Sequence, residues 1–200
     1  MRVVFSDAPP DLEILRRKLG LDTWDEMWEG VMHVPPAPTA GHQDFSWHLE
    51  TWLRTRWKVQ TQGKVFHEVN LAMPGQWPGN YRIPDILLLL PDCFHINKGK
   101  FFEGVPSAVI EIHSPGDESY EKLPFYLQLG VPEVWIIDRD SKRPEVYVLQ
   151  GDRYISVAPD ADGWLLSPRL GLEARQVREG KLAIRLHGQA TSVAELPTDD

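Results

Sequence analysis

Two apolar runs, each holding a single carboxylate, constrain this chain more than any other feature. Ile83-Pro84-Asp85 opens the run Ile86-Leu87-Leu88-Leu89-Leu90, and Val109-Ile110-Glu111-Ile112-His113-Ser114-Pro115 encloses Glu111. Short apolar stretches bounded by turn signals read as buried strands. An ionised side chain inside such a strand is costly unless it is paired, hydrogen-bonded or bound to a metal. Alternation puts Val109, Glu111 and His113 on one face of their strand, and Ile83, Asp85 and Leu87 on one face of theirs. If the strands are neighbours, Asp85 and Glu111 sit side by side. Two carboxylates that close repel, which raises the pKa of one. A magnesium or manganese ion taking one oxygen from each removes the conflict.

The rest of the chain reads as an α/β sandwich around a mixed sheet, with helices first and strands following around a central helix. Asp11 to Leu19 is predicted as a short helix, with Leu12, Leu15 and Leu19 on one face. Thr23-Trp24-Asp25-Glu26 has the form of a capped helix start, running to Gly30. The longest helical signal spans His42 to Val59, with Phe45, Leu49, Trp52 and Leu53 as its core-facing stripe. Strands are predicted over Lys64–Leu71, Arg82–Leu90, Ala108–His113, Glu133–Asp138, Pro144–Leu149 and Arg153–Val157. A helix over Asp117–Leu129 is interrupted or begun at Pro124, which would place Lys122 in its entry turn. Tyr126, four residues on, shares the helical face of Lys122. Leu172–Val177 and Lys181–Leu186 flank a hairpin turn. The expected organisation is one domain over residues 1–200: a core at about 24–149, a C-terminal β extension at about 150–187 and a flexible tail over 188–200.

Composition narrows the function classes. No run of eighteen apolar residues is present, so no membrane span is expected. The N-terminus lacks the long apolar core of a secretory signal, which points to the cytoplasm. Cys93 is the single cysteine, excluding an internal disulfide and a cysteine-based zinc site. The net charge of −8 works against strong non-specific binding to nucleic acid, although Arg54, Arg56 and Lys58 cluster. Of eight tryptophans, five (Trp24, Trp28, Trp47, Trp52, Trp57) fall between residues 24 and 57, and they read as core and interface packing before base stacking.

The ordered set of these features resembles the Uma2 family of the broad PD-(D/E)xK nuclease superfamily. The resemblance spans Trp24 to Leu149. It runs through Glu29-Gly30-Val31 with Pro35, Pro36 and His42, through Pro84-Asp85, Glu111-Ile112-His113-Ser114-Pro115, and Lys122 with Tyr126. It ends on Gly130-Val131-Pro132-Glu133-Val134-Trp135-Ile136-Ile137-Asp138. It implies a restriction-endonuclease-like core, a mixed central β-sheet flanked by helices, and a metal-dependent endonuclease acting on DNA. Asp85 and Glu111 would be ligands of Mg2+ or Mn2+. Lys122, reaching in from the helix, would replace the lysine that the wider superfamily carries two residues after the glutamate, where His113 stands here. Paired subunits, hence a homodimer, fit the same resemblance and the tryptophan excess.

Each residue also has a plainer reading. Asp85 caps a loop, Glu111 is a structural acid, Lys122 is a solvated helix residue, and His113 and His42 are neutral neighbours of the acids. Glu29 reads more readily as a hinge or cap. The competing functions are a non-catalytic binding or structural protein that keeps the fold, and a phosphodiesterase acting on RNA or nucleotides, because fold does not choose a substrate.

Overall fold

The computed structural model describes residues 3–5 and 10–198. Strand β1 (Val3–Phe5) and helix α1 (Pro10–Lys18) precede a hairpin of β2 (Glu26–Trp28) and β3 (Val31–Val34). The helix expected from Thr23 to Gly30 is therefore not formed. Trp28 pairs with Val31 across a two-residue loop in which Glu29 and Gly30 have φ of 48° and 87°. Two left-handed residues make the turn whose twist suits a tight hairpin. The hairpin lets Glu26 bury its carboxylate, where a helical first turn would expose it.

Helix α2 (Ala40–Trp52) is capped by Thr39, whose hydroxyl accepts from the His42 N–H at 3.3 Å. It continues through a π-helical turn at Leu53–Trp57 into α3 (Lys58–Thr61) and stops at a left-handed Gln62. Phe45, Leu49, Trp52 and Leu53 are buried as their spacing predicts, and Trp57 extends the stripe. Gly63 answers to that packing, since a Cβ there would lie 2.6 Å from the Trp57 ring.

Next come β4 (Lys64–His67), β5 (Leu71–Ala72), β6 (Tyr81–Arg82) and β7 (Ile86–Leu89). Two expected strands, 64–71 and 82–90, are each divided between sheets: β4 pairs with β7, and β5 with β6. Glu68, with φ of 47°, turns the chain out of the first sheet. Pro84 has no N–H to offer a ladder and marks the second break. Then follow β8 (Phe102–Glu103), β9 (Ala108–His113), α4 (Leu123–Leu129), β10 (Glu133–Asp138), β11 (Pro144–Gln150) and β12 (Arg153–Ser156). Helix α4 is shorter than the predicted 117–129; it begins beside Pro124, with Lys122 at its N-cap. The chain closes through β13 (Leu165–Ser167), β14 (Leu172–Arg178), β15 (Lys181–Leu186) and β16 (Ala194–Leu196).

Among the described residues these strands form three sheets. The central one has the order β12-β11-β10-β9-β7-β4, with β9 and β10 parallel across the α4 crossover and the other pairs antiparallel. On one face, Ile86, Ile110, Ile112, Trp135 and Ile137 pack against α2 and against Leu172, Ala174, Leu182 and Ile184 of the C-terminal sheet β13-β14-β15-β16. On the other face, Leu87, Val109, Val134 and Ile136 meet α4 together with Leu71 and Phe102 of the N-terminal sheet β1-β3-β2-β6-β5-β8. The C-terminal strands, expected as an extension beyond a core at about 24–149, share the main core. The segment after His187, expected as a loose tail, adds β16 beside β15, and Thr198 Oγ1 lies 3.1 Å from His48 Nδ1.

Glu133 fastens the C-terminal sheet to the central one. It is fully buried and accepts from Trp135 Nε1 at 2.7 Å, from the Ser167 hydroxyl and from the Arg169 N–H at 3.2 Å. Burial pushes its carboxyl above the usual range, while these donors pull it back. Glu133→Ala leaves three donors unpaired, and unmatched buried partners cost about 1–3 kcal/mol each. We expect a loss of several kcal/mol, about 3–5, read as a lower urea midpoint; an unchanged midpoint would refute this anchoring role.

Candidate active site

Where the chain leaves the N-terminal sheet and enters β7, Asp85 stands at the bend. Ile86 pairs with Ile110 in the antiparallel β7–β9 register, so the next position outward sets Asp85 opposite Glu111. The sequence expectation that these two acids face the same region holds: both line one cavity of about 450 Å³. Asp85 is held on two sides. Its Oδ2 accepts the Ile112 N–H at 2.6 Å, and its Oδ1 lies 3.0 Å from His42 Nε2. The first turn of α2 aims His42 here, with its Nδ1 3.4 Å from Ser114 Oγ.

Glu111, buried in β9, is clasped from α4. The Tyr126 hydroxyl donates to its Oε1, and Lys122 Nζ donates to its Oε2 at 3.2 Å. Lys122 Nζ also lies 2.9 Å from Ile83 O and 2.9 Å from Glu26 Oε1. An ammonium has three N–H donors, and all three are engaged. Glu26 returns the contact: the same Oε1 accepts the Ile83 N–H at 2.8 Å, and its Oε2 accepts Trp28 Nε1 at 2.6 Å. A closed triangle of Glu26, Lys122 and the Ile83 peptide thus fixes the approach to Asp85 two residues on.

Glu68 completes the floor. Its positive φ turns the side chain into the cavity, where it accepts Trp24 Nε1 at 2.8 Å and Gln43 Nε2 at 3.4 Å. A non-glycine residue in that region costs on the order of 1–2 kcal/mol, a strain that concentrates at functional positions. One ligand atom each of His42, Glu68 and Asp85 lies within 4.8 Å of the others.

The other sequence candidates fall outside this floor. Tyr126 acts on Glu111 from within the core, and His113 turns its Nδ1 to Asp117 at 2.8 Å. Glu29 sits in the exposed β2–β3 turn, 3.4 Å from Arg82 Nη2. Two inward acids, Glu26 and Glu68, were not singled out from sequence. Both carried a signal: Glu26 precedes the apolar pair Met27-Trp28 and a Glu-Gly turn, and Glu68 stands between Val65-Phe66 and Val69.

Four carboxylates at the floor face one ammonium and one imidazole, and their protonation reflects it. Burial drives the Glu111 carboxyl up to about 8; Lys122 and the Tyr126 hydrogen bond pull it down, and Asp85 and Glu26 push it further up. Burial opposes the charge on Lys122, yet Glu111, Glu26 and Asp85 outweigh it and hold the ammonium above its usual range. Burial also opposes the Asp85 charge, but His42, Lys122 and the Ile112 N–H keep its carboxyl below the ordinary value. His42 is raised against its own burial by Asp85, Glu68 and Asp117.

These shifts make stability depend on pH. Between its unfolded value of 4.5 and about 8, Glu111 holds a proton in the folded state that the unfolded chain has released. Its contribution therefore declines as pH rises through that window. Lys122 stabilises below its unfolded value of 10.5 and loses that contribution only at higher pH, outside the window. Glu111→Gln, which keeps an acceptor for Lys122, should raise Tm relative to the parent at pH 8 and much less at pH 5. Melts without added metal check this, and an equal difference at both pH values would contradict it.

The sequence pattern of the Uma2 family, described as "Putative restriction endonuclease", matches residues 21–184. Among solved structures, the chain is similar to "a putative nuclease belonging to DUF820 from Anabaena variabilis ATCC 29413", with a TM-score of 0.57 and 21% identity, over 73% of this chain and 82% of that one. At that identity the likeness is one of fold, and the nuclease-like α/β architecture expected from sequence is the one observed. A search of curated proteins returns no match.

Proposed function

This chain belongs to the Uma2 family, and on that premise we propose that it is an endonuclease hydrolysing phosphodiester bonds of DNA with Mg2+ or Mn2+. The observation that carries the reading is the convergence of Asp85, Glu111, Lys122 and His42 in one cavity from four separate elements. The donor set fits a hard cation: one oxygen each of Asp85 and Glu68 and one imidazole nitrogen of His42 within 4.8 Å of one another, with no thiolate, and Glu111 lining the same cavity opposite Asp85. Asp85 would be shared between the pair expected from sequence and the His42–Glu68–Asp85 group. A divalent cation bound there supplies Lewis-acid polarisation of a phosphoryl oxygen and a more acidic water.

The chain's own groups divide the remaining work. The Ile112 N–H and His42 orient Asp85. Without a cation Glu111 keeps its proton up to about pH 8. With a divalent cation held there that proton would be displaced, leaving a carboxylate that would accept a proton from an attacking water. Lys122 stays charged and fully hydrogen-bonded. Its help is therefore electrostatic, steadying Glu111 and opposing the negative charge that builds on the phosphate. Tyr126 and Glu26 hold those two groups in place. The acidic floor and the net charge of −8 repel a phosphate in the absence of a cation, so productive substrate binding should require the metal.

The test is cleavage of plasmid and single-stranded DNA with Mn2+, beside calorimetric titration of Mn2+ without substrate. Asp85→Ala and Glu111→Ala should each lower the cleavage rate roughly a hundredfold or more, and a chelator should abolish it. Glu68→Gln should weaken Mn2+ binding about tenfold if Glu68 supports the site. Cleavage retained at parental rate by the Asp85→Ala, Glu111→Ala double variant would discard the assignment. Heat of Mn2+ binding without hydrolysis of any DNA would instead favour a metal-holding protein that binds without cutting.

A further inference from the structure

Of the tryptophans between residues 24 and 57, Trp24 has a place unlike the rest. Trp52 and Trp57 are buried in the core, and Trp47 is exposed beside His48. Trp28 stacks on His33, 4.1 Å between ring centroids, and carries the Arg82 guanidinium over its ring. Trp24 is half-buried in the wall of the acid cavity. Its Nε1–H donates to Glu68 Oε2 at 2.8 Å, which fixes one edge of the ring. Among the described residues no other ring and no cation stacks on its faces. The arm from β3 to α2, Pro35-Pro36-Ala37-Pro38, lines the same cavity. Prolines fix φ and carry no N–H, so this wall is stiff, apolar and poor in donors. The acids lie at the bottom of the recess: Glu111 is 2% exposed, and the Asp85 and Lys122 side chains 16% and 12%.

We propose that the cavity receives one unpaired nucleotide of single-stranded DNA, its base stacked on Trp24 beside the proline arm and its phosphate lowered to the acid floor. The inference rests on the nuclease reading, from which it takes DNA as the occupant, and adds the state of the strand. A recess of about 450 Å³ has the size of a small-ligand pocket. It admits one unit of a chain and excludes a duplex, whose major groove alone is about 12 Å wide. A phosphate can reach so deep a floor only if its own sugar and base leave the stack, as in enzymes that work on single strands or extruded nucleotides. With a net charge of −8, phosphate contacts supply little affinity. Stacking on an indole supplies it without selecting a base, since every base has a π-face, and the prolines offer no donor pattern with which to choose one.

The experiment is fluorescence anisotropy of a short end-labelled oligonucleotide, single-stranded or annealed to its complement, with Ca2+ present. Cleavage of both forms with Mn2+ is followed in parallel, and circular dichroism verifies folding. The single strand should be bound and cleaved about tenfold better than the duplex. Trp24→Leu should weaken single-strand binding about tenfold, whereas Trp24→Phe should stay within about threefold of the parent. Both variants lose the hydrogen bond to Glu68, so the difference between them reports the aromatic face alone. Equal binding of strand and duplex, equal losses in the two variants, or binding of neither form would overturn the proposal. Cleavage of the duplex at the single-strand rate would leave the nuclease reading standing and strike this one. Single-strand binding that depends on the Trp24 ring, with no DNA cleaved, would do the reverse.

Discussion

The ammonium of Lys122 is the contact on which the site depends. Buried charges survive when they are paired and hydrogen-bonded, and this one binds two carboxylates and a carbonyl drawn from three elements: Glu26 of β2, Glu111 of β9 and Ile83 before β7. Its place at the N-cap of α4, where Pro124 opens the helix, directs it back toward the sheet. Take that cation away and Glu26, Glu111 and Asp85 lose the positive charge they share. The local geometry of Asp85 and Glu111 therefore rests on a residue from neither strand.

The network also explains why the N-terminal sheet belongs to the molecule's chemistry as well as its packing. Glu26 reaches the site because the Glu29-Gly30 turn folds the chain into a hairpin, and Arg82, stacked between Trp28 and Phe125 with its guanidinium 4.1 and 4.3 Å from their rings, ties that hairpin to α4. The central sheet supplies Glu111, and the seam between the two sheets supplies Asp85 and Glu68. Asp85 and Glu68 stand where strands change sheets, with the Glu68 N–H donating to Asp85 O at 3.1 Å, while Glu111 stays within the β9 ladder.

Much of this was readable from residues alone. Apolar periodicity identified the inward stripe of α2 and the strands β9 and β10, because burial of large side chains dominates those segments. Asp85 and Glu111 stood out because charge inside an apolar run demands a reason, and Lys122 through the family resemblance; the cavity brings all three together. The first strand of the hairpin, Glu26–Trp28, was misread as a helix since Thr23 and Glu26 imitate a capping box, a local signal that tertiary burial of Glu26 overrides. The divided strands were read as continuous because alternation does not reveal which sheet a residue joins; Glu68 and Pro84 mark the divisions through backbone geometry.

The π-helical turn at Leu53–Trp57 acts at the far end of the helix whose first turn carries His42. One added residue per turn retards the helical phase by roughly 100°, and the Lys58 N–H accordingly bonds back to Leu53 O. In an uninterrupted α-helix, position 56 would come round to the interior after Trp52 and Leu53. The delay brings Trp57 there instead, to donate to Leu170 O at 2.9 Å, and leaves Arg56 in water with Arg54 and Lys58. A single-residue slip in winding is thus what keeps guanidinium out of the oily layer and gives an otherwise acidic protein one rim of positive charge.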